Sequence, residues 1–132
     1  YAHGLPCARI EVLEAGHPVP DEAGEQAAAR IFECAAALGP EDLLLVLVSG
    51  GGSSLLSLPV DAVPMGDLKE VTRRLLASGA PIQDMNVVRK PLSRIQGGRL
   101  AQATRAQVLA LMVSDVAGDD PSAIASGPAK RR

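Results

Sequence analysis

The chain has 132 residues, of which 47% are hydrophobic and 21% charged, with a formal net charge of −2; this composition fits one modest globular domain and excludes a disordered chain. The slightly acidic balance, together with one Tyr, one Phe and no Trp, excludes a basic nucleic-acid face and a stacking platform for single-stranded bases. No apolar run approaches the roughly 20 residues that span a bilayer and no signal-peptide pattern is visible, while Cys7 and Cys34 fit neither a disulfide scaffold nor a zinc motif, so reduced thiols in a cytoplasmic protein are expected.

The elements follow in chain order. Arg9 to Leu13 alternates polar and apolar residues, the pattern of a half-buried strand. Glu14 to Asp21 contains two prolines and a glycine and can neither extend that strand nor start a helix. Asp21 is a natural N-cap, and Glu22 and Glu25 suit the positive end of a helix dipole. A helix is predicted over 22–38, with Ala28, Ile31, Phe32, Ala35 and Leu38 as its apolar stripe and Gly39-Pro40 as its stop. Leu43 to Val48 is apolar on both faces, as a central parallel strand is. A second amphipathic helix is predicted over 67–78, with Leu68, Val71, Leu75 and Leu76 inward. Residues 82–90 read as a shorter helix interrupted by Pro91, and Leu100 to Thr104 as one or two turns. Val108 to Val113 is another two-faced strand. The remainder is loop-like. Strands alternating with helices give an α/β fold with a mostly parallel sheet. Three strands fall short of the roughly five or six usual in such sheets, and the chain opens on Tyr1 rather than Met. Both suggest a piece of something longer.

In open α/β sheets ligands bind beyond the carboxyl ends of the strands, and all three predicted strands end in loops rich in Gly, Asp, Ser or His. Ser49-Gly-Gly-Gly-Ser-Ser54 is one such loop. Three glycines allow successive backbone N–H groups to face one point and cradle a phosphate. The loop is neither a Walker A sequence nor Gly-x-Gly-x-x-Gly, and a flexible turn is the plain alternative. Asn86, Arg89, Lys90 and Ser93 share one helical face by spacing, which reads either as a solvated face or as cations for phosphate. Gly97-Gly98-Arg99 sets another glycine turn beside a cation. Ser114-Asp115 and Gly118-Asp119-Asp120 place carboxylates after a buried strand, where they could hold Mg²⁺ or simply form turns. Glu14, His17 and Asp21 complete the polar set.

Together these segments go beyond generic pattern. His17-Pro-Val-Pro-Asp-Glu-Ala-Gly24 precedes the glycine loop, and Leu75-Leu-Ala-Ser-Gly-Ala80, Asn86-Val-Val-Arg-Lys90, Gly97-Gly-Arg-Leu-Ala101, Ser114-Asp-Val-Ala-Gly-Asp-Asp120 and Ile124-Ala-Ser-Gly-Pro128 follow in order. The series resembles the glycerate 2-kinase family, named hydroxypyruvate reductase in older usage, over residues 1 to about 128. The resemblance implies ATP- and Mg²⁺-dependent phosphorylation of D-glycerate to 2-phosphoglycerate. It also implies that residues 1–128 are an internal part of a Rossmann-like three-layer N-terminal domain, incomplete in this chain, with 129–132 as a tail unlike the family. An early segment carrying a lysine the family is thought to use, and a C-terminal domain closing over the cleft, would lie outside the chain.

On that resemblance Gly50, Gly51, Gly52 and Ser53 cradle the nucleotide phosphates. Arg89 and Lys90 neutralise charge on the transferred group, with Asp115 as a further catalytic candidate. Asp115 and Asp119 are the candidate Mg²⁺ ligands, and His17 and Asp21 line the cleft. The chain departs from the family at Pro91, where His is usual, at Gln96, which replaces a lysine read as facing phosphate, and at Ala129, where Thr is usual. These changes bear on activity more than on fold. Two other readings stand beside the kinase: an inactive phosphate-binding module, and a hydroxypyruvate-linked oxidoreductase, which the missing dinucleotide fingerprint argues against.

Overall fold

The computed structural model of the protein describes residues 4–114 and 120–129. Asp21, in extended conformation, accepts a hydrogen bond from the Gly24 amide at 2.9 Å and caps helix α1, Glu22–Ala37. The helix buries a strip of small residues, Gly24, Ala27, Ala28 and Ala35. A Cβ on Gly24 would lie 3.1 Å from the Leu55 carbonyl oxygen, so glycine sets how closely the helix lies against the next segment. The buried side is therefore rotated from the predicted stripe: Ile31 is 42% exposed, while Phe32 still reaches the core.

Strand β1, Leu43–Val48, pairs in parallel with β2, Gln107–Met112, in the register Leu43↔Gln107 to Val48↔Met112. The connection runs through α2 (Gly52–Leu55), α3 (Met65–Ala77), α4 (Ile82–Arg89), a 3₁₀ turn over Lys90–Leu92 and α5 (Arg99–Ala103). A second 3₁₀ turn spans Ile124–Ser126. Ile95, Leu100, Leu58, Ala28 and Ala35 form the core, and Leu44 and Val46 of β1 pack onto it. The architecture is mixed α/β with a parallel sheet, as expected. The two-faced burial expected of both strands is not seen among the described residues: Leu43, Leu45, Leu47, Leu109 and Leu111 leave the other face exposed, because the core lies only on the Leu44–Val46 side.

The strand predicted at 9–13 does not form. Alternation makes a strand only when a neighbouring edge takes its hydrogen bonds, and here Ile10, Val12 and Leu13 are exposed while Glu11 pairs with Arg30 of α1. Helix α3 starts two residues earlier than predicted because the Pro64 carbonyl accepts from the Asp67 and Leu68 amides. Its inward side is Met65, Leu68 and Thr72, with Leu76 exposed. Lys69 reaches the Glu22 carboxylate at 2.7 Å and ties α3 to α1. Pro91, lacking an amide hydrogen, ends α4 and turns the chain into the 3₁₀ segment.

Candidate functional site

Parallel pairing sends the chain out of β1 and β2 at the same edge, where the Val113 amide donates to the Val48 carbonyl. The glycine loop begins there. Gly51 has φ 79° and caps the short helix α2, a left-handed conformation that glycine adopts without steric cost. Ser53 and Ser54 follow on the first turn of that helix.

The segment 125–127 comes against this loop. Ala125, Ser126 and Gly127 all have positive φ, at 47°, 60° and 60°. Two non-glycine residues in succession in this region are strained. The surroundings hold them there: the Gly97 amide donates to the Ser126 carbonyl at 2.9 Å and the Gly98 amide to the Gly127 carbonyl at 2.7 Å. A Cβ on Gly52 would lie 2.7 Å from Ala125 Cβ, so the two loops touch only because position 52 has no side chain.

The side chains converge on Ser126. Its hydroxyl is 2.8 Å from the Ser53 hydroxyl, 3.1 Å from Asn86 Oδ1 and 3.5 Å from Arg89 Nη2. Lys90 Nζ donates to the Ser122 carbonyl at 2.7 Å. The polar face read from spacing is thus turned inward, with Asn86 and Ser93 buried and Arg89 and Lys90 half-buried. Burial lowers the Arg89 pKa, although a guanidinium stays charged under all ordinary conditions. His17, Gly51, Ser53, Arg89, Ala123 and Ala125 border an open cleft of about 440 Å³.

Two sequence expectations change here, and Gln96 gains a role. Its amide is buried and donates to the Ser53 and Leu56 carbonyls at 2.7 and 3.0 Å, bracing the glycine loop from beneath. Gly97 and Gly98 do not offer their amides to a ligand, because both are used on segment 126–127, while Arg99 donates to the Lys90 and Gln96 carbonyls. Asp21 caps α1 rather than bordering the cleft. Asp115 and Asp119 lie outside the described residues, as do residues 130–132 of the expected tail; Ala129 and Ser114 are described. Sequence reasoning did not single out Ser126, whose only signal was the Ser-Gly-Pro string.

A family model described as Domain of unknown function (DUF4147) matches residues 1–131. An Agrobacterium vitis protein that carries hydroxypyruvate reductase as a provisional name is 56% identical over 129 residues, covering 97% of this chain and 34% of that protein. A D-glycerate 2-kinase of Thermotoga maritima is 47% identical over 131 residues, covering 98% and 31%. The crystal structure of a glycerate kinase from Thermotoga maritima superposes with a TM-score of 0.87 at 46% identity, covering 96% of this chain and 31% of that one. The chain spans between about a quarter and a third of the length of the curated relatives it matches.

Proposed function

The chain belongs to the DUF4147 family, and from that premise we propose that the protein carrying it transfers a phosphoryl group from ATP to D-glycerate, giving 2-phosphoglycerate. The observation that carries the reading is the meeting, at the carboxyl edge of a parallel sheet, of a glycine loop and a half-buried arginine on one serine. That edge is where ligands of α/β sheets bind. The kinase names of the Thermotoga maritima relatives agree with it.

The residues present fit an anionic nucleotide. Gly51 adopts a left-handed turn on the cleft side, where a Cβ would approach His17 Nε2 to 3.2 Å; glycine keeps this side open. Backbone N–H groups of Gly50, Gly51, Gly52 and Ser53 hold the phosphates, and ATP when bound supplies the phosphoryl group. Arg89 and Lys90 bring positive charge to the transferred group, preorganised by their attachment to Ser126 and Ser122. Asp115 and Asp119 are the proposed Mg²⁺ ligands. Among the described residues no three His, Cys, Asp or Glu side chains gather, and Mg²⁺ held between a carboxylate or two and phosphate oxygens needs no such group. A second domain of the longer protein would close over the cleft. An oxidoreductase has less support, since Leu55 stands where the Gly-x-Gly-x-x-Gly spacing of a dinucleotide turn puts its last glycine.

Titration calorimetry with ATP tests the loop assignment. Gly51→Val places a β-branched side chain at φ 79° and on the open side of the loop, and should weaken binding about tenfold or more by displacing charge-assisted hydrogen bonds. Unchanged affinity removes the loop from the nucleotide site.

A further inference from the structure

Helix α4 is turned inside out. Val87 and Val88 are 72% and 44% exposed, while Asn86 is 4% exposed and Arg89 half-buried. An amphipathic helix normally does the reverse. Moving an amide and a guanidinium inward forfeits hydration that only polar partners restore, so the partners inside decide what the arrangement is for.

Those partners are counted through Ser126. A serine hydroxyl has one proton and two lone pairs. Asn86 Oδ1 can only accept, so the Ser126 proton goes to it; the Arg89 N–H donates to Ser126, and the Ser53 hydroxyl must then donate as well. Ser126 is saturated, and donors are left over. Asn86 Nδ2 is buried without a hydrogen-bond partner among the described residues. Arg89 spends one of its five N–H groups on a contact at 3.5 Å, and no carboxylate pairs with it among the described residues. The cluster therefore holds one fixed positive charge and a set of N–H donors with too few acceptors. Its anchor, Ser126, sits in strained left-handed backbone fastened by Gly97 and Gly98, and Arg89 and Ser53 border the open cleft.

We propose that Arg89, Asn86 and Ser126 form a binding site for an oxyanion group, a carboxylate or a phosphate. A planar guanidinium takes two oxygens of such a group side by side, the Asn86 amide supplies a further donor, and the Ser126 hydroxyl can turn its proton from Asn86 to the ligand. The site stands on this donor surplus alone; only the identity of its natural ligand, the carboxylate of the acid substrate or a phosphate of the nucleotide, rests on the kinase reading.

Asn86 is the sole asparagine of the sequence, so asparagine-selective ¹⁵N labelling gives one side-chain amide signal. The whole chain is titrated with inorganic phosphate, with D-glycerate, and with chloride at matched ionic strength. The expected result is a saturable shift of the Asn86 amide with phosphate or with glycerate and none with chloride, the responding anion identifying the source. Asn86→Asp removes the donor and adds an adjacent negative charge; it should weaken that anion about tenfold or more, yet raise the melting temperature by pairing with Arg89. A merely structural asparagine leaves the anion affinity unchanged, whatever the substitution does to the melting temperature. An Asn86 amide unmoved by both anions, or an Asn86→Asp chain that binds as well as the parent, overturns the site; the first readout uses the unaltered chain and does not depend on the variant folding. Neither readout needs ATP or turnover. Saturable anion binding by the chain, with no glycerate phosphorylation by the protein that carries it, refutes the kinase and keeps the site, whereas phosphorylation by that protein with a silent Asn86 amide does the opposite.

Discussion

Gly52→Ala isolates the contact on which the site depends. Position 52 opens helix α2, so alanine there would by propensity alone stabilise the chain by up to about 1 kcal/mol. The structure predicts the reverse. The new Cβ would lie 2.7 Å from Ala125 Cβ, far inside the roughly 3.5–4.0 Å separation at which carbon atoms attract. Ala125 is fixed in left-handed backbone by its neighbours, so relief comes only by parting the two loops, and overpacking of this kind costs about 1–3 kcal/mol. The net expectation is a destabilisation of about 1 kcal/mol. Ala125→Gly removes the opposing methyl and also frees a non-glycine residue from φ 47°. The double substitution should recover the loss, with a coupling of about 1–2 kcal/mol in a double-mutant cycle. Urea unfolding with an unchanged m-value is the assay. A Gly52→Ala chain as stable as the parent, additive with Ala125→Gly, would refute the claim that these loops pack in contact.

Gln96→Leu keeps the side-chain volume but leaves the Ser53 and Leu56 carbonyls without their amide donor; urea unfolding should show a loss of about 2 kcal/mol. The Glu22 carboxyl is held below its ordinary pKa, first by its hydrogen bond from Lys69 and then by its own backbone. A lowered folded-state pKa contributes stability above the ordinary glutamate range and loses it as pH falls through the lowered value, so melting curves of Glu22→Gln should be flatter over that acidic window than those of the parent. The exposed leucines of the sheet face predict binding of a hydrophobic dye such as ANS by the isolated chain. Leu47→Lys with Leu111→Lys should abolish it with little change in stability; unchanged dye binding would place the apolar patch elsewhere.

The parts of the fold that could be read from the chain were those where local chemistry and packing agree. Leu43–Val48 and Val108–Val113 are apolar on every residue and bounded by turns, so they could only be strands or buried helix, and their length decided it. Asp21 could be read as a cap because capping is settled within three residues. Arg9–Leu13 failed for the opposite reason: alternation is a property of the segment, whereas a strand is a property of a pair. Spacing put Asn86, Arg89, Lys90 and Ser93 on one face but could not say which way it turned; the exposure of Val87 and Val88 answers that. Gly97-Gly98 was misread because residue type shows what a group can donate, not what it meets. The Ser-Gly-Pro string marked Ser126 but not its role, since left-handed backbone at a non-glycine residue is imposed by its surroundings.

On the proposed function, the cleft at the carboxyl edge of the sheet serves phosphoryl transfer to a small hydroxy acid. The direct measurement is ³¹P NMR of D-glycerate incubated with ATP, Mg²⁺ and the protein that carries this chain, parent and Arg89→Ala side by side. The parent should give 2-phosphoglycerate and ADP, and Arg89→Ala, with the fold retained, a rate lower by about two orders of magnitude, the scale of losing one preorganised charge donor. No phosphorylated glycerate from the parent, or the same rate from Arg89→Ala, would contradict it.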